Sequence, residues 1–502
     1  MNMKKEKLWE ALWYIAIFAF FYIWFSKIHP LVVYDSDDWT YIAYARRATP
    51  IWGEWNPAKV FPEVLLPFFS NIILYTLVPL TGDYITGFTV GHALVVSGFI
   101  TVYTWALVAL LRRSFSLSGM TGIFSGTLFL IFHFLVFRTQ NSGNSYLFHC
   151  DDLNCYYNYL LPALLNAILI MYVIGNPDFE KLFADAPPVK VGIIYILIYF
   201  AIFSNMAISG MLASLAGSYL LLNLLKTLKK FKLMEYIKSN AHWLIILGMW
   251  CVSVVYEFSG GRATNAAAPL TLGNLRHTAY CLKEVLVGCN PLFWLSVFTI
   301  IVLAALQFLL TKKKAEEEAT LLNHLVPLLV AAAALLVYML ALCTIVWFGT
   351  IYRSEYQITL FFYGFLVVFL ALGYLLKKQP KLMFLLPLLV IFLASDINTN
   401  EMTFEDSLMS DYGAQACADI SRDIINQYVE ADLAGLTETT IYIPMHIADP
   451  ETEDNWPHTM VLLPRIGNAL YKQGVLSRPI SANFVIDPAV NQRHNIPVPT
   501  AE

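Results

Sequence analysis

The chain has 502 residues, of which 58% are hydrophobic and only 14% are charged, and its formal net charge is −4. A soluble protein carries about 25% charged residues, so the composition excludes an ordinary soluble enzyme and predicts a protein that lipid solvates. The small net charge gives no indication of a nucleic-acid partner.

The apolar residues fall in runs of about twenty, which is the length that a helix needs to cross a bilayer. Lys4, Lys5 and Lys7 precede the first run, and no small-residue cleavage site follows it. We therefore interpret this run as a retained first span rather than a signal peptide. The predicted spans are 8–26, 84–111, 117–137, 156–175, 191–205, 207–225, 241–256, 291–311, 323–346, 357–376 and 382–395.

The run 60–80 is also apolar, but the distribution of basic residues argues against a twelfth span. With eleven spans, eighteen Lys and Arg residues fall on the face of the membrane that carries the N-terminus and nine on the opposite face. Because basic residues are enriched in cytoplasmic loops, this distribution predicts a multi-pass protein of the cell membrane whose N-terminus is cytoplasmic. A twelfth span would move fifteen of the eighteen outside. Pro62, Glu63 and Pro67 are also unfavourable in a spanning helix, so we predict an interfacial or re-entrant helix here.

The sequence changes character after residue 395, where it becomes polar. Apolar residues recur there at helical spacing, at Cys417, Ile420, Ile424 and Tyr428. Others alternate as in a half-buried strand, at Ile441, Ile443, Met445 and Ile447. The overall prediction is an all-α polytopic membrane protein with about eleven transmembrane helices in residues 1–395, including a first outer loop at 27–83. A small extracytoplasmic α/β domain follows at 396–502.

The first outer loop opens with an acidic motif, in which Asp35, Asp37 and Asp38 lie within four residues. Three carboxylates this close repel one another. One of them can accept a proton from an attacking hydroxyl group, or together they can hold a divalent cation. The alternative is that an aspartate caps the start of a helix.

Further polar residues are predicted on the same outer face. In the first loop, Arg46, Lys59 and Glu63 follow, and the two basic side chains are suited to a phosphate or to lipid headgroups. In the second outer loop, Asp151 and Asp152 could complete a metal site with the first acidic motif. A Cys150–Cys155 disulfide is the favoured alternative explanation of that loop, and Cys281–Cys289 is a second candidate disulfide.

Arg262 and Arg353 each lie beside the end of a predicted span. An arginine at membrane depth usually has a partner. A lipid-linked phosphate is one such partner, because the guanidinium group matches phosphate oxygens in a forked geometry. The other is a structural ion pair with Glu257 or Glu355.

This arrangement of a first span, a long outer loop opening on Asp35-Ser36-Asp37-Asp38, many spans and an outer C-terminal domain resembles the GT-C superfamily of membrane glycosyltransferases, in particular bacterial members of the Gtr type. The resemblance covers residues 1–395. It implies transfer of a sugar from a polyprenyl-phosphate carrier to a cell-surface polysaccharide or glycolipid. It also implies Asp37 or Asp38 as the base, and phosphate binding by Arg262, Arg353, Arg46 or Lys59. No cofactor is implied, although some members use a divalent cation.

Two other functions fit the same topology. One is a polymerase or ligase that moves whole lipid-linked oligosaccharides. The other is a transporter of lipid or polysaccharide, which would place ionisable residues near the bilayer midplane and often shows internal repeats. Here the charges gather at the helix ends and no repeat is evident.

Overall fold

The structure is a computed structural model that describes residues 3–138, 146–176, 183, 186–266, 268–311, 316–397, 412–446, 455–457 and 461–499. Helices dominate the part before residue 397. Their bounds are α1 Met3–Ile23, α2 Ser36–Tyr41, α3 Val60–Thr81, α4 Tyr84–Phe115, α5 Gly119–Leu135, α6 Leu153–Ile174, α7 Pro188–Ile202, α8 Met206–Thr227, α9 Leu233–Ser239, α10 Ala241–Phe258, α11 Gly261–Ala266, α12 Leu272–Val287, α13 Pro291–Leu310, α14 Glu316–Val346, α15 Ser354–Lys378 and α16 Leu386–Ala394.

Most of these helices are apolar. In the described residues, nine helices are long and apolar enough to cross a membrane, namely α3, α4, α6, α8, α10, α13, α14, α15 and the helix that begins as α1. Three shorter apolar helices accompany them, at Gly119–Leu135, Pro188–Ile202 and Pro380–Ala394. The chain is therefore a predominantly helical, multi-pass membrane protein.

Contacts between helix ends define two ends of the helical bundle. At one end, Arg112 pairs with Glu10 at 3.0 Å, and the lysine-rich connections are short. At the other end, the Val60 amide donates to the Phe203 carbonyl at 2.9 Å. We call these the short-loop end and the long-loop end. The segments at the long-loop end include 29–59, 146–152, 259–266 and 347–353.

Helix α3 contains the run 60–80, which the sequence analysis did not count as a membrane span. Both termini of this helix lie at the long-loop end of the bundle. At its start, the Arg46 amide donates to the Glu63 carbonyl at 3.4 Å. Just after its end, the Tyr84 ring stacks on Trp39, with 5.8 Å between ring centroids. Because both Arg46 and Trp39 belong to the first loop, these contacts support an interfacial or re-entrant α3. The count of eleven crossings stays a prediction.

Close packing with α4 holds α3 in place. At Gly91 of α4, an added Cβ would lie 2.3 Å from the side chain of Ile73, so only glycine allows the two helices to approach this closely. Farther along, the His92 ring lies between Ser70, at 3.3 Å, and Tyr157 of α6, at 2.8 Å. These polar contacts fix α3, α4 and α6 relative to one another.

The C-terminal segment folds as α17 Ala414–Leu433, β1 Glu438–Ile443, α18 Leu462–Lys472, β2 Ser481–Ile486 and α19 Pro488–His494. The strands pair in parallel, with Ile441 opposite Phe484, and α18 lies in the connection between them. The predicted helix around Ile420 is confirmed, and so is a strand at Ile441 and Ile443. The strand ends before Met445, which the prediction had included, and Ile447 lies outside the described residues. Strand β2 was not predicted.

The C-terminal segment packs on the first loop. The Trp456 indole donates to the Tyr34 carbonyl at 3.3 Å, and the Gln473 side chain donates to the Ile42 carbonyl at 3.0 Å. This segment therefore lies at the long-loop end, together with the first loop. That this end faces the outside of the cell stays a prediction.

Candidate functional site

The three aspartates of the first loop occupy different environments. Asp35 is the N-cap of α2 and accepts the Asp37 amide at 2.8 Å. The Asp38 carboxylate is fully buried and accepts three backbone amides, from Tyr34 and Asp35 at 3.2 Å and from Asn154 at 2.7 Å. Both carboxylates thus stabilise local structure, as the helix-capping interpretation predicted. Asp38 in addition joins the first loop to the start of α6.

The two acidic motifs of the long-loop end are neighbours. Asp152 is the N-cap of α6 and accepts the Cys155 amide at 2.6 Å. Burial raises the pKa of Asp38, and so do the neighbouring charges of Asp152 and Asp35. The amide groups that donate to its carboxylate act in the opposite direction but do not outweigh these effects. Burial and Asp35 likewise raise the pKa of Asp152. Within the described part of the chain, no group of three His, Cys, Asp or Glu residues is arranged to hold a metal ion.

Asp151, the other half of the second motif, lies beside a histidine. Its carboxylate is 3.5 Å from the buried ring of His149, and this interaction lowers the pKa of Asp151 although burial raises it. The Tyr34 hydroxyl donates to the Asp151 carbonyl at 2.9 Å. Asp151 therefore helps to fix the first loop against the second.

The disulfide predictions were wrong, because all seven cysteines are free thiols. Cys155 lies in the first turn of α6, where its thiol donates to the carboxylate of its own N-cap, Asp152, at 3.3 Å. Cys289 instead donates to the Val285 carbonyl one helical turn earlier, at 3.4 Å. Each thiol thus points to a local acceptor rather than to a second sulfur.

Asp37 is the accessible carboxylate of the first motif, with about half of its side chain exposed. It forms an ion pair with Arg465 of α18, at 3.0 Å. Of the three aspartates in this motif, Asp37 is therefore the one whose carboxylate can meet a substrate.

Two of the predicted phosphate-binding arginines have carboxylate partners. Arg46 pairs with Glu63 at 2.5 Å, and both side chains are about 95% buried. Arg353 pairs with Glu355 at 2.8 Å and lies over the Tyr159 ring at 5.1 Å. The interpretation of Arg353 as a member of a structural ion pair is thus confirmed.

The other two predicted cations, Lys59 and Arg262, line one cleft with Glu257. This cation cleft spans about 820 Å³, including the open space at its mouth, and lies where α8, α10 and α14 meet at the long-loop end. Its apolar wall is formed by Met206, Phe258, Leu342, Ile345 and Val346. Tyr159, Asn205 and Tyr356 add polar groups.

Backbone pairing between two loops brings Lys59 and Arg262 together. The Gly261 amide donates to the Glu54 carbonyl at 3.2 Å, and the Arg262 amide donates to the Trp55 carbonyl at 3.4 Å. At Gly260 an added Cβ would lie 2.6 Å from Pro57, so a larger residue would separate the loops. Segments about two hundred residues apart in sequence therefore build one wall of the cleft.

The cation cleft carries positive charge that is not neutralised by direct pairing. In the described residues, no carboxylate forms an ion pair with Lys59 or Arg262. Burial, then the neighbouring Arg262, lowers the pKa of Lys59 to about 8, while Glu257 and Glu63 act in the opposite direction. A buried, unpaired cation is costly. An anionic ligand would remove that cost.

Sequence reasoning did not give Glu257 a role in the site, because it treated this residue only as an ion-pair partner of Arg262. The structure instead directs both side chains into the cation cleft. One signal was available, since Glu257 is an acidic residue at the end of the otherwise apolar helix α10.

No protein-family model, curated protein or solved structure matches this chain. The chemistry of the cation cleft and of its neighbours is therefore the basis on which a function can be assigned.

Proposed function

We propose that this protein is a membrane glycosyltransferase that moves a sugar from a polyprenyl-phosphate carrier to a cell-surface polysaccharide or glycolipid. The observation that carries the proposal is the cation cleft, in which an apolar wall between membrane helices ends at unpaired Lys59 and Arg262. A lipid with a phosphate head is complementary to this cleft, because its apolar tail matches the apolar wall and its anionic head matches the two cations. The resemblance to GT-C glycosyltransferases supports the same assignment.

The phosphate would bind between Lys59 and Arg262. The guanidinium group offers a forked pair of donors and the ammonium group a compact charge, and both are attractive to phosphate oxygens. Lys59 is 93% buried, so little water screens its interaction with the phosphate, whereas Arg262 is exposed. The polar residues of the cleft are then complementary to a ligand that carries at least one negative charge.

The apolar tail would follow the groove between α10 and α14, both of which pack on α8. Phe258 of α10 and Val346 of α14 line the cleft and are also exposed on the surface, at 52% and 38%. On the same helix as Phe258, Val252 and Val255 are about half exposed. Apolar side chains exposed on a membrane helix face lipid, so the groove is open to a lipid chain from the side.

In the proposed reaction, an acceptor hydroxyl attacks the anomeric carbon of the donor. The bond between that carbon and the phosphate oxygen breaks, and polyprenyl phosphate leaves with the electron pair. Asp37 takes the hydroxyl proton, since its carboxylate is accessible and lies on the same loop as Lys59. Lys59 and Arg262 stabilise the charge that grows on the leaving phosphate. Inversion at the anomeric carbon follows from a single displacement.

The other predicted site residues have supporting roles in this proposal. Asp35 and Asp38 fix the loop that carries Asp37, and Arg46 with Glu63 joins that loop to α3. Glu257 lines the cleft together with the two cations and would orient the donor sugar through its hydroxyl groups. The proposal includes eleven crossings and a cytoplasmic N-terminus, because the lysine-rich connections gather at the short-loop end.

The binding step can be tested with two ligands that differ only in the phosphate, undecaprenyl phosphate and undecaprenol. Purified protein in nanodiscs should bind the phosphate and not the alcohol, measured by native mass spectrometry. Lys59→Ala and Arg262→Ala should each weaken binding roughly 10-fold to 100-fold, as expected for a charge-assisted hydrogen bond. Lys283→Ala and Arg276→Ala, in exposed basic residues of α12, should have no effect.

The catalytic step needs a second measurement. Protein incubated with undecaprenyl phosphohexoses and extracted surface glycolipid should release undecaprenyl phosphate and add one hexose, and Asp37→Asn should abolish release while lipid binding is kept. Transfer of an oligosaccharide in one step would instead identify a polymerase or ligase. Movement of the lipid between leaflets without release would identify a transporter. Equal binding of the phosphate and the alcohol would contradict the proposal.

A further inference from the structure

A second cleft adjoins the cation cleft at the long-loop end. It spans about 490 Å³, including the open space at its mouth, and is built from the first loop and the start of α3. We call it the loop cleft, and the residues that define it are Thr40, Tyr41, Tyr44, Glu54, Trp55 and Asn56. Arg46 and Glu63, the buried ion pair, also line it.

The loop cleft presents aromatic rings to solvent. Trp55 is 54% exposed and Tyr44 is 40% exposed, although both line a concave surface. Lys472 of α18 lies over the Tyr44 ring, 5.6 Å from its centroid, so a ligand would stack on the other face of that ring. Exposing such large rings costs free energy, which a ligand with an apolar face of its own would offset. The C–H faces of a pyranose ring are surfaces of this kind.

The polar groups of the loop cleft mix donors and acceptors. Asn56 donates its side-chain amide to the Tyr41 hydroxyl at 3.3 Å, and Glu54 is exposed beside Trp55. The cleft thus offers a carboxylate, an amide, a phenol and the Thr40 hydroxyl around its rings. Such a set can satisfy a ligand that carries many hydroxyl groups, because each hydroxyl both donates and accepts.

Position relates the loop cleft to the proposed chemistry. Asp37 lies one helical turn before Tyr41 on α2, so the two side chains share a face of that helix. The stretch from Asn56 to Lys59 separates the loop cleft from the cation cleft. Charged groups on both sides act on the Tyr41 hydroxyl. Burial, Glu63 and Asp37 raise the pKa of Tyr41, and Arg262 lowers it. A ligand in the loop cleft would therefore approach both Asp37 and the donor phosphate.

We propose that the loop cleft binds the acceptor saccharide, with Trp55 and Tyr44 stacking on its rings and Glu54 and Asn56 bonding to its hydroxyl groups. This inference rests on the proposed function, because it assigns the second substrate of the same reaction. It places acceptor binding on the first loop rather than on the C-terminal segment.

The chain offers a matched control for Trp55. Trp52 lies three residues earlier and is 65% exposed, but it packs edge-on against Tyr256, with 5.4 Å between ring centroids, and does not line the loop cleft. Removal of either indole takes the same group from the same loop. Only one of the two removals changes the proposed saccharide surface.

The test uses a glycan array of defined neutral oligosaccharides, probed with fluorescently labelled protein in nanodiscs. Each variant's affinity for undecaprenyl phosphate is measured beside it as a control of folding. Wild-type protein and Trp52→Ala should bind the same glycans, and Trp55→Ala should lose at least tenfold in affinity for them while it keeps lipid binding. Glu54→Gln should change which glycans bind.

The two proposals fail in different ways. If wild-type protein binds undecaprenyl phosphate but no glycan, or if Trp55→Ala and Trp52→Ala bind glycans equally, the loop cleft is not the acceptor site. If wild-type protein does not bind undecaprenyl phosphate, the proposed function itself is contradicted, whatever the array shows.

Discussion

Lys59 gives the cation cleft a pH dependence that can be measured directly. Burial and Arg262 lower the pKa of this lysine to about 8, so its ammonium group loses a proton in an accessible range. A phosphate monoester keeps its full charge above about pH 7, since its second pKa is about 6. Any loss of affinity at higher pH therefore reports on the protein rather than on the ligand.

The expected size follows from the protonated fraction of Lys59. Between about pH 7.5 and about pH 9.5 this fraction falls roughly 20-fold, and affinity for undecaprenyl phosphate should fall by a similar factor. The stability of the protein should change in the opposite direction. Between about pH 8 and the ordinary lysine value of 10.5, the unfolded chain binds a proton that the folded chain has released, so the free energy of unfolding rises with pH.

The assay is a titration of nanodisc-embedded protein with undecaprenyl phosphate at several pH values, with thermal melting measured in parallel. Lys59→Arg is the matched variant, because a guanidinium group keeps its charge over the whole range and its affinity should stay flat. If wild-type protein also shows a flat profile, or if Lys59→Arg retains the decline, the lysine does not bind the phosphate. A decline that follows a falling melting temperature would indicate unfolding instead.

Three further predictions concern the residues around the clefts. Asp38→Ala should lower the free energy of unfolding by about 1–3 kcal/mol, because three buried backbone N–H groups would lose their acceptor. Asp37→Ala should change it by less than about 0.5 kcal/mol, and equal melting temperatures for the two variants would contradict this assignment. Arg46→Met should cost about 3–5 kcal/mol by leaving Glu63 buried without its partner, and the double variant with Glu63→Leu should recover most of that stability in the same melting assay. Alkylation of denatured, unreduced protein followed by mass spectrometry should find a free thiol at Cys155, and a disulfide at that position would refute the contacts described for α6.

Features that depend on neighbouring residues could be predicted from the sequence. Apolar runs of about twenty residues indicated the membrane helices, and an aspartate before a helix indicated the cap that Asp35 provides. Arg353 and Glu355 are only two positions apart, so their ion pair could also be predicted from the local sequence. Strand β2 could have been found in the same way, since Ala482 and Phe484 alternate with Ser481 and Asn483.

Features that depend on tertiary contacts could not be predicted. The buried Asp38 carboxylate accepts the Asn154 amide, and nothing in either segment alone indicates that bond. Lys59 and Arg262 were both candidates for the phosphate, but so were Arg46 and Arg353. Arg353 has its carboxylate partner two positions away, but the pairing of Arg46 with Glu63 and the convergence of Lys59 and Arg262 on one cleft depend on how the loops meet in the folded chain.

The packing of the C-terminal segment on the first loop has a consequence for biosynthesis. The contact between Trp456 and Tyr34 joins residues 422 positions apart, so one partner leaves the ribosome long after the other. At about 5–20 residues per second, this interval is roughly 20–80 s. During that time the nascent chain exposes the surface around Tyr34 without its cover. Truncated chains that lack α17 to α19 would keep this surface open, which makes it a natural target for membrane quality-control proteases.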